Sequence, residues 1–311
     1  MPQAVDPGRA QRIASLRYDY AAQPVESIAS CNLCGSDRFV AIAHRDRYGF
    51  PAQAQACARC GLVFLNPRMT AAAYATFYES VYRPLVSAFH GRLIDARTIQ
   101  DEQRDYAADR AAFLRPFLSP GLKTMLDIGG STGVVASHIA REFGLSATVI
   151  DPAPLEIAEA RRLGLATVTG LVEAHDFGAA TFDVVTLFQT VDHLLDVSGT
   201  LARVRQLIAP HGRLFVDIVD FRAAYLRNWS IEGAIKIDHP YYLVEPTMEA
   251  YLRRSGFEVV RADYQADHLH VGYICRPAAP DARALPEPAS VAELLREVRL
   301  VQNTSGASST R

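Results

Sequence analysis

Several protein classes are excluded by what this sequence does not contain. No stretch comes near the run of about 18 apolar residues that a bilayer-spanning helix needs, so no membrane span is expected. The first twenty residues carry Arg9, Arg12, Arg17 and Asp19 and hold no apolar h-region, which gives no sign of a secretory leader. A basic excess is missing too. Lys and Arg number 32 against 34 Asp and Glu, for a formal charge of −2, whereas a domain built to grip nucleic acid carries a clear positive surplus. Disulfides are not expected, because four of only five cysteines fall in two CxxC pairs, a metal-type spacing in a reducing compartment. Internal repeats are absent. The remaining expectation is a cytoplasmic globular protein of 311 residues, 49% apolar and 21% charged, with room for about two domains.

Composition divides the chain. Residues 1–28 are polar and without a period, as in an N-terminal arm. Residues 29–68 hold the cysteine pairs among short apolar runs suited to small hairpins. Residues 69–118 read as a helical linker or lid: an alanine-rich stretch to Phe89, then a charged segment from Thr98 to Phe117. From Leu122 the pattern changes, and residues 119–276 form the expected core. The runs Thr124–Ile128, Ala147–Ile150, Asp183–Phe188 and Leu214–Ile218 alternate with helical stretches, which means βαβ units and a parallel sheet. Two more runs, Glu258–Ala262 and His270–Cys275, suggest a final strand pair. Residues 277–311 read as a Pro/Ala-rich linker and an amphipathic helix through Val291, Leu294, Leu295, Val298 and Val301. A disordered tail is expected from Asn303 to Arg311, and the helix could join two copies of the chain.

The cysteines repeat one unit, CxxCG: Cys31, Cys34 and Gly35, then Cys57, Cys60 and Gly61. Two residues between thiolates let both sulfurs face one tetrahedral ion, and four thiolates close its shell, so a structural zinc is expected. The glycine after each pair can take positive φ and turn backbone N–H groups toward the sulfurs. Redox pairs or buried free thiols are the competing reading. Between the pairs lie Arg38, Arg45 and Arg47 against Asp37 and Asp46, too slight an excess for a phosphate-tracking surface. Cys275, alone in a strand, reads as a small core residue.

The segment Met125 to Gly133 places a strand, a glycine turn (Gly129, Gly130, Gly133) and a helix start in that order. Small residues let a ligand approach the backbone, and the N–H groups at a helix start favour polar or anionic atoms. Asp151 follows Gly129 by 22 residues, at the end of the second strand, where a carboxylate can accept both hydroxyls of a ribose. The dinucleotide fingerprint is not met, since serine stands at 131 and valine at 134.

Over about residues 119–276 the sequence resembles the class I S-adenosylmethionine-dependent methyltransferases. Leu126 to Gly133 looks like the first motif, Asp151 like the ribose-binding acid, and Gly170 to Glu173 like the segment that contacts adenine. Phe182 to Val185, running on to Asp192 and His193, resembles the fourth strand and its Glu-His ending. Leu207 to Leu214 and Gly256-Phe257 resemble later turns. The cysteine module with Gly61 to Arg68 is similar to the N-terminal segment of bacterial methyltransferases acting on sugars and surface polysaccharides. The resemblance implies a Rossmann-like, seven-stranded, mostly parallel sheet with helices on both faces. It also implies S-adenosyl-L-methionine as cofactor, held by Asp127, Gly129, Gly130, Gly133, Asp151, Glu173 and Gln189. Two departures stand out: Asp192 replaces the glutamate, and Ser131 replaces the middle glycine, which is tolerable if its φ stays negative.

A hydroxyl acceptor needs a base. His193, at the carboxyl end of the fourth strand, and His239, in the long segment Phe221–Glu245, are the candidate catalytic groups. Tyr225, Trp229, Tyr241 and Tyr242 of that segment could stack on a ring. Tyr78, Tyr82 and Arg83 could close over the cofactor. Asn/Asp-Pro-Pro-aromatic is absent after the fourth strand, where Phe188 to Val191 stand instead, and this disfavours base-amine methylation. Similar sugar C-methyltransferases carry a further large domain, whereas only about 35 residues follow the core here. The expected acceptor is therefore a small-molecule or glycan hydroxyl, with carbon open. The alternatives are an RNA methyltransferase using the ribbon for recognition and a non-catalytic zinc-stabilised binding protein.

Overall fold

The computed structural model describes Asp6 and residues 8–308, with side chains described through Thr304. The amino-terminal part holds α1 (Arg9–Ser15), β1 (Val25–Glu26), β2 (Phe39–Ala43), β3 (Ala54–Cys57), β4 (Val63–Leu65) and β5 (Arg68–Met69). Three helices follow: α2 (Ala71–Ser80), α3 (Tyr82–His90) and α4 (Gln100–Leu114). Alternation then begins with β6 (Thr124–Ile128), α5 (Val134–Phe143), β7 (Ser146–Asp151), α6 (Pro154–Arg162) and β8 (Ala166–Thr169). It continues through β9 (Phe182–Leu187), α7 (Val197–Leu207), β10 (Ile208–Val219) and α8 (Phe221–Asn228). The last elements are β11 (Tyr241–Tyr242), α9 (Glu245–Arg254), β12 (Phe257–Tyr264), β13 (His270–Pro277) and α10 (Pro288–Ser308).

The main sheet has seven strands in the order β12-β13-β10-β9-β6-β7-β8. Its strands from β10 to β8 are mutually parallel, while β13 runs antiparallel to both β10 and β12. This is the expected α/β architecture. Runs such as Met125 to Ile128 and Val184 to Leu187 are buried, as strands covered by helices on both faces must be. The strand order reverses at β6, where the chain moves out to β7 on one side and β9 on the other. Ligands in open α/β sheets bind outside the carboxyl ends of the strands at such a switch point. The edge strand β8 is short and half exposed, so its hydropathy carries no strand signal.

A second sheet joins distant parts of the chain. Its order is β11-β4-β3-β2, with Tyr241 opposite Phe64 and Tyr242 opposite Val63. The long segment after β10 is thus no open loop: it forms α8, a short 3-10 turn and the outer strand of the cysteine-bearing sheet. The ribbon is fused to the core rather than tethered to it. Cys31, Cys57, Cys60, Leu62 and Phe64 share one apolar cluster with Leu187, Val191, Val216 and Tyr251. Asn32, inside the first CxxC unit, locks the contact. Its Nδ2 donates to Asp196 Oδ1 at 2.8 Å, and its Oδ1 accepts from Ser198 N–H at 3.1 Å and from Tyr251 O–H at 3.0 Å.

The two termini depart from expectation. The arm is anchored, with α1 burying Ile13 and Tyr20 also buried. The helix expected to end near Asn303 runs from Pro288 to Ser308, and residues 309–311 lie outside the described part. Its apolar stripe is covered by its own chain: Val291, Leu294, Val298 and Val301 are buried, and Arg222 grips Glu297 through two bonds of 3.0 and 2.6 Å. Among the described residues no helix is long and apolar enough to cross a membrane.

Because Asn32 bonds three residues of two helices at once, Asn32→Ala should lower stability by about 1–3 kcal/mol. Urea unfolding followed by circular dichroism measures this. An unchanged midpoint would mean that the seam holds by apolar packing alone.

Candidate active site

The glycine turn opens at the switch point. Gly129 has φ of +68°, and a β-carbon there would lie 2.5 Å from Thr190 Cγ2. One on Gly130 would lie 2.5 Å from Asp127 Oδ2 and 2.8 Å from Val149 Cγ1, and one on Gly133 (φ +74°) 2.8 Å from Ala160 Cβ. Each position thus admits only glycine without displacement. Asp127 sits beneath the turn, fully buried, with Oδ1 accepting from Thr186 Oγ1 at 2.6 Å and Oδ2 unpartnered. Burial pushes its pKa up to about 7.

Ser131 adopts φ of +51°, contrary to the negative value expected of it. A left-handed serine is costly by about 1–2 kcal/mol, and its hydrogen bonds offset that. Its N–H donates to Asp151 Oδ2 at 3.0 Å and its Oγ donates to Glu156 Oε2 at 3.0 Å. Arg83 in turn holds Glu156 through Nε (3.1 Å) and Nη2 (2.7 Å). Asp151 also accepts Ala153 N–H at 2.8 Å, so its carboxyl is fixed in orientation at the strand end. The helical segment reaches the same turn elsewhere, as Gln103 accepts from Thr132 and Tyr106 donates to Asp217. The remaining cofactor candidates lie further out. Gln189, exposed with φ of +49°, anchors its N–H on Asp217, and Glu173, also exposed, accepts from Thr200 of α7.

His193 and His239 come together, ring centroids 4.5 Å apart. His193 Nδ1 lies 2.9 Å from the Asp238 carbonyl oxygen and 2.7 Å from Tyr78 Oη, which itself donates to that carbonyl at 2.8 Å. A carbonyl only accepts, so Nδ1 carries the proton and Nε2 keeps the lone pair. Among the described residues Nε2 has no hydrogen-bond partner. At His239 the proton sits on the same nitrogen, but Nε2 is engaged rather than free. Lys236 Nζ, a donor only, stands 3.2 Å from Nε2, so that lone pair is occupied. Burial lowers the pKa of both imidazoles, His239 far more, with the Lys236 charge adding to it. Asp192 is buried, with Oδ2 on Val219 N–H at 3.2 Å and Oδ1 unpartnered. Burial pushes it up to about 7.

The aromatics of the long segment are committed elsewhere. Tyr225 donates to Glu297 Oε1 at 2.5 Å, Tyr241 to the Leu195 carbonyl at 3.1 Å and Tyr242 to the Lys236 carbonyl at 2.6 Å. Trp229 Nε1 donates to Thr304 Oγ1 at 3.1 Å. The three tyrosines are buried and build the scaffold, while the Trp229 ring stays about half exposed. Tyr78 does reach His193, and Arg83 reaches the glycine turn. Lys236 lies in no period or motif and carries no signal in the sequence, and Asn32 fills a position of the CxxC unit that the metal spacing leaves open.

The four cysteines are unbridged. Their sulfurs all lie within 4.8 Å of one another, with Cys31 to Cys60 and Cys34 to Cys57 at 3.5 Å. A tetrahedral ion with bonds of about 2.3 Å sets its ligands roughly 3.8 Å apart, so this donor set fits zinc. Gly35 and Gly61 take the expected positive φ, but their N–H groups donate to the Cys31 and Cys57 carbonyls at 2.8 and 2.9 Å. The sulfurs instead receive backbone N–H groups of Cys34, Arg59, Cys60 and Leu62.

Fold and site together define an α/β protein with a glycine turn at the switch point of its sheet and a histidine pair brought together after the neighbouring strand β9. A family model described as a methyltransferase domain matches residues 99–262, more than half of the chain, and the chain belongs to that family. Over 125 residues it is 37% identical to a ubiquinone biosynthesis O-methyltransferase of Methylocella silvestris, covering 35% of this chain and 48% of that protein. Over 123 residues it is 32% identical to the protein of the same description in Vibrio cholerae, covering 37% and 49%. The chain spans about half the length of the curated relatives it matches. Among solved structures, DesVI of Streptomyces venezuelae aligns with a TM-score of 0.49 at 17% identity, covering 60% of this chain and 99% of that one.

The buried acids make stability depend on pH. Asp192, near 7 when folded and about 3.9 unfolded, holds more protons in the folded state between those values. Its contribution is fully present at the acidic end of that window and is lost as pH rises through about 7. Asp192→Asn should therefore lose about 1–3 kcal/mol less than wild type between roughly pH 5 and 7.5. Urea titrations at both pH values measure the difference, and parallel losses would mean that Asp192 ionises normally.

Proposed function

We propose that this protein is an S-adenosylmethionine-dependent methyltransferase acting on a hydroxyl of a small molecule or glycan, with a structural zinc in its ribbon. The observation that carries the reading is the free Nε2 of His193, in the 3-10 turn after Thr190, the residue that packs against Gly129 of the glycine turn. Membership of the methyltransferase-domain family supports the cofactor. The curated relatives, described as ubiquinone biosynthesis O-methyltransferases, support oxygen as the acceptor atom.

S-adenosylmethionine, when bound, supplies a sulfonium-activated methyl group. Asp151, oriented by two backbone N–H groups, would accept the ribose hydroxyls, while Gly129 and Gly130 let the ligand lie against the backbone. His193 Nε2 would take the acceptor proton, and the resulting imidazolium would be held by the Asp238 carbonyl and Tyr78. Arg83 and Glu156 brace the turn through the Ser131 hydroxyl. His239 serves as a positioning residue, its lone pair held by Lys236. The cysteines would hold zinc as thiolates and fix β3 and β4, the strands that carry β11.

With labelled S-adenosylmethionine, the protein should methylate members of a panel of phenols, sugars and nucleotide-sugars and leave RNA unmodified. On the best acceptor, His193→Asn should lower turnover by about 10²–10⁴-fold with cofactor affinity intact, and His239→Asn by less. Because burial lowers the His193 pKa, the wild-type rate should rise on the acid side and level off below about pH 6.5. Near-normal turnover of His193→Asn would overturn its role as base. Metal analysis of the undenatured protein should find one zinc per chain, lost in Cys34→Ser; a stoichiometry near zero in wild type would rule out the structural zinc.

A further inference from the structure

A cavity of about 270 Å³ opens behind the histidine pair, and its walls include Arg47, Asp192, Arg227, Lys236, His239 and His270. Its charge is one-sided. Three fixed cations line it, and Asp192 is the one carboxylate among the lining residues. Arg47 comes from the ribbon and stacks over Phe89, 4.3 Å from the ring centre. Its Nη2 donates to Tyr48 Oη at 3.0 Å, while Nε is buried without a partner. Lys236 donates to neutral His239 Nε2 at 3.2 Å. Neither cation forms an ion pair among the described residues. Arg227 donates to the Asp267 main-chain carbonyl, and Asp267 Oδ2 faces His270 Nδ1 at 2.5 Å. The nearby Asp238 carboxyl is turned to Tyr48 Oη (3.3 Å) and His239 Nε2 (3.5 Å).

Half-buried cations without a counter-ion are costly, and proteins retain them where something negative is to be bound. Here the cost is visible: burial together with the Arg47 charge pulls Lys236 down to about 8. On the same wall the unpartnered Asp192 Oδ1 asks for a hydroxyl. We propose that this cavity binds an oxyanion, a phosphate or a carboxylate, carried by the methyl acceptor, with a neighbouring hydroxyl on Asp192. The assignment of that anion to the acceptor rests on the methyltransferase reading. The positions agree with it, because His239 lines the cavity and its ring centroid lies 4.5 Å from that of His193. An anion seated there would place a hydroxyl of a hydroxy acid or a phosphorylated sugar beside the free Nε2. Arg47 and Lys236, supplied from opposite ends of the chain, would be the specificity-determining pair.

The test is calorimetric titration of the full-length protein with inorganic phosphate and, separately, with malonate. The variants are Lys236→Met, and Arg227→Gln, whose exposed side chain can be changed without touching the core. S-adenosylhomocysteine is titrated into every sample as the independent readout. At least one anion should bind wild type saturably and lose about tenfold or more in affinity in both variants, with S-adenosylhomocysteine binding unchanged. Phosphate alone would mark a phosphate ester and malonate alone a carboxylic acid, each in support. No saturable binding of either anion, or affinities unchanged in both variants, would overturn the proposal. Failure of wild type to bind S-adenosylhomocysteine would sink the methyltransferase reading and leave the anion site to be judged on its own titration.

Discussion

The pairing of β11 with β4 is the constraint on which the rest of the site depends. Tyr241 and Tyr242, 177 and 179 residues beyond their partners Phe64 and Val63 in the chain, complete a sheet whose other strands belong to the cysteine ribbon. Residues just before them are clamped by the same module. Arg47 N–H donates to the Ile235 carbonyl at 2.9 Å and Ile237 N–H to Asp46 Oδ2 at 3.1 Å, and Tyr74 of α2 adds a bond to the Ile237 carbonyl at 3.1 Å. Each of these bonds engages a main-chain group of the segment and so fixes its backbone directly. They set the Asp238 carbonyl against His193 and Lys236 against His239. Without the ribbon, the segment from β10 to α9 would have no sheet to join, and the histidine pair would have no frame.

Electrostatics then divides the labour between two similar imidazoles. His239 is buried and His193 half-buried, and both favour the neutral form with the proton on Nδ1, yet only one of them keeps its Nε2 lone pair free. A main-chain carbonyl fixes the proton of His193 on Nδ1 and frees its other nitrogen. A lysine ammonium occupies the corresponding lone pair of His239. The glycine turn is governed in the same way by its surroundings. Ser131 tolerates a left-handed backbone because Asp151 and Glu156 hold its N–H and hydroxyl, and Arg83 from α3 closes the chain of contacts. The helices before the core thus brace the turn from outside the sheet.

Much of this is legible in the sequence where chemistry is local. The βαβ alternation, the glycine turn, Asp151 at its strand end and the two CxxCG units all depend on neighbours close in the chain, and the strand Thr124–Ile128 matches its expected bounds. The misses have one physical cause, which is pairing across long separations. Tyr225, Tyr241 and Tyr242 look like a stacking surface until their hydroxyls are seen to bond Glu297, Leu195 and Lys236. The stripe of α10 looks free until α8 and β2 cover it. Negative φ is the natural expectation for Ser131 because nothing nearby in sequence announces Glu156 as its partner, and Lys236 carries no pattern at all. Local rules find the parts, and the joins between them come from tertiary structure.

The ribbon and the segment 235–244 thus act as one cooperative unit that holds the histidine pair in place. Hydrogen exchange read by mass spectrometry, on the protein as purified and after treatment with a thiol-competitive zinc chelator, tests this most directly. Removing the metal should raise exchange together in residues 54–65 and 235–244, while β6, β7 and β9 keep their protection. If exchange rises only in the cysteine ribbon and 235–244 stays protected, the segment is held by the core alone, and the ribbon is not what positions the histidines.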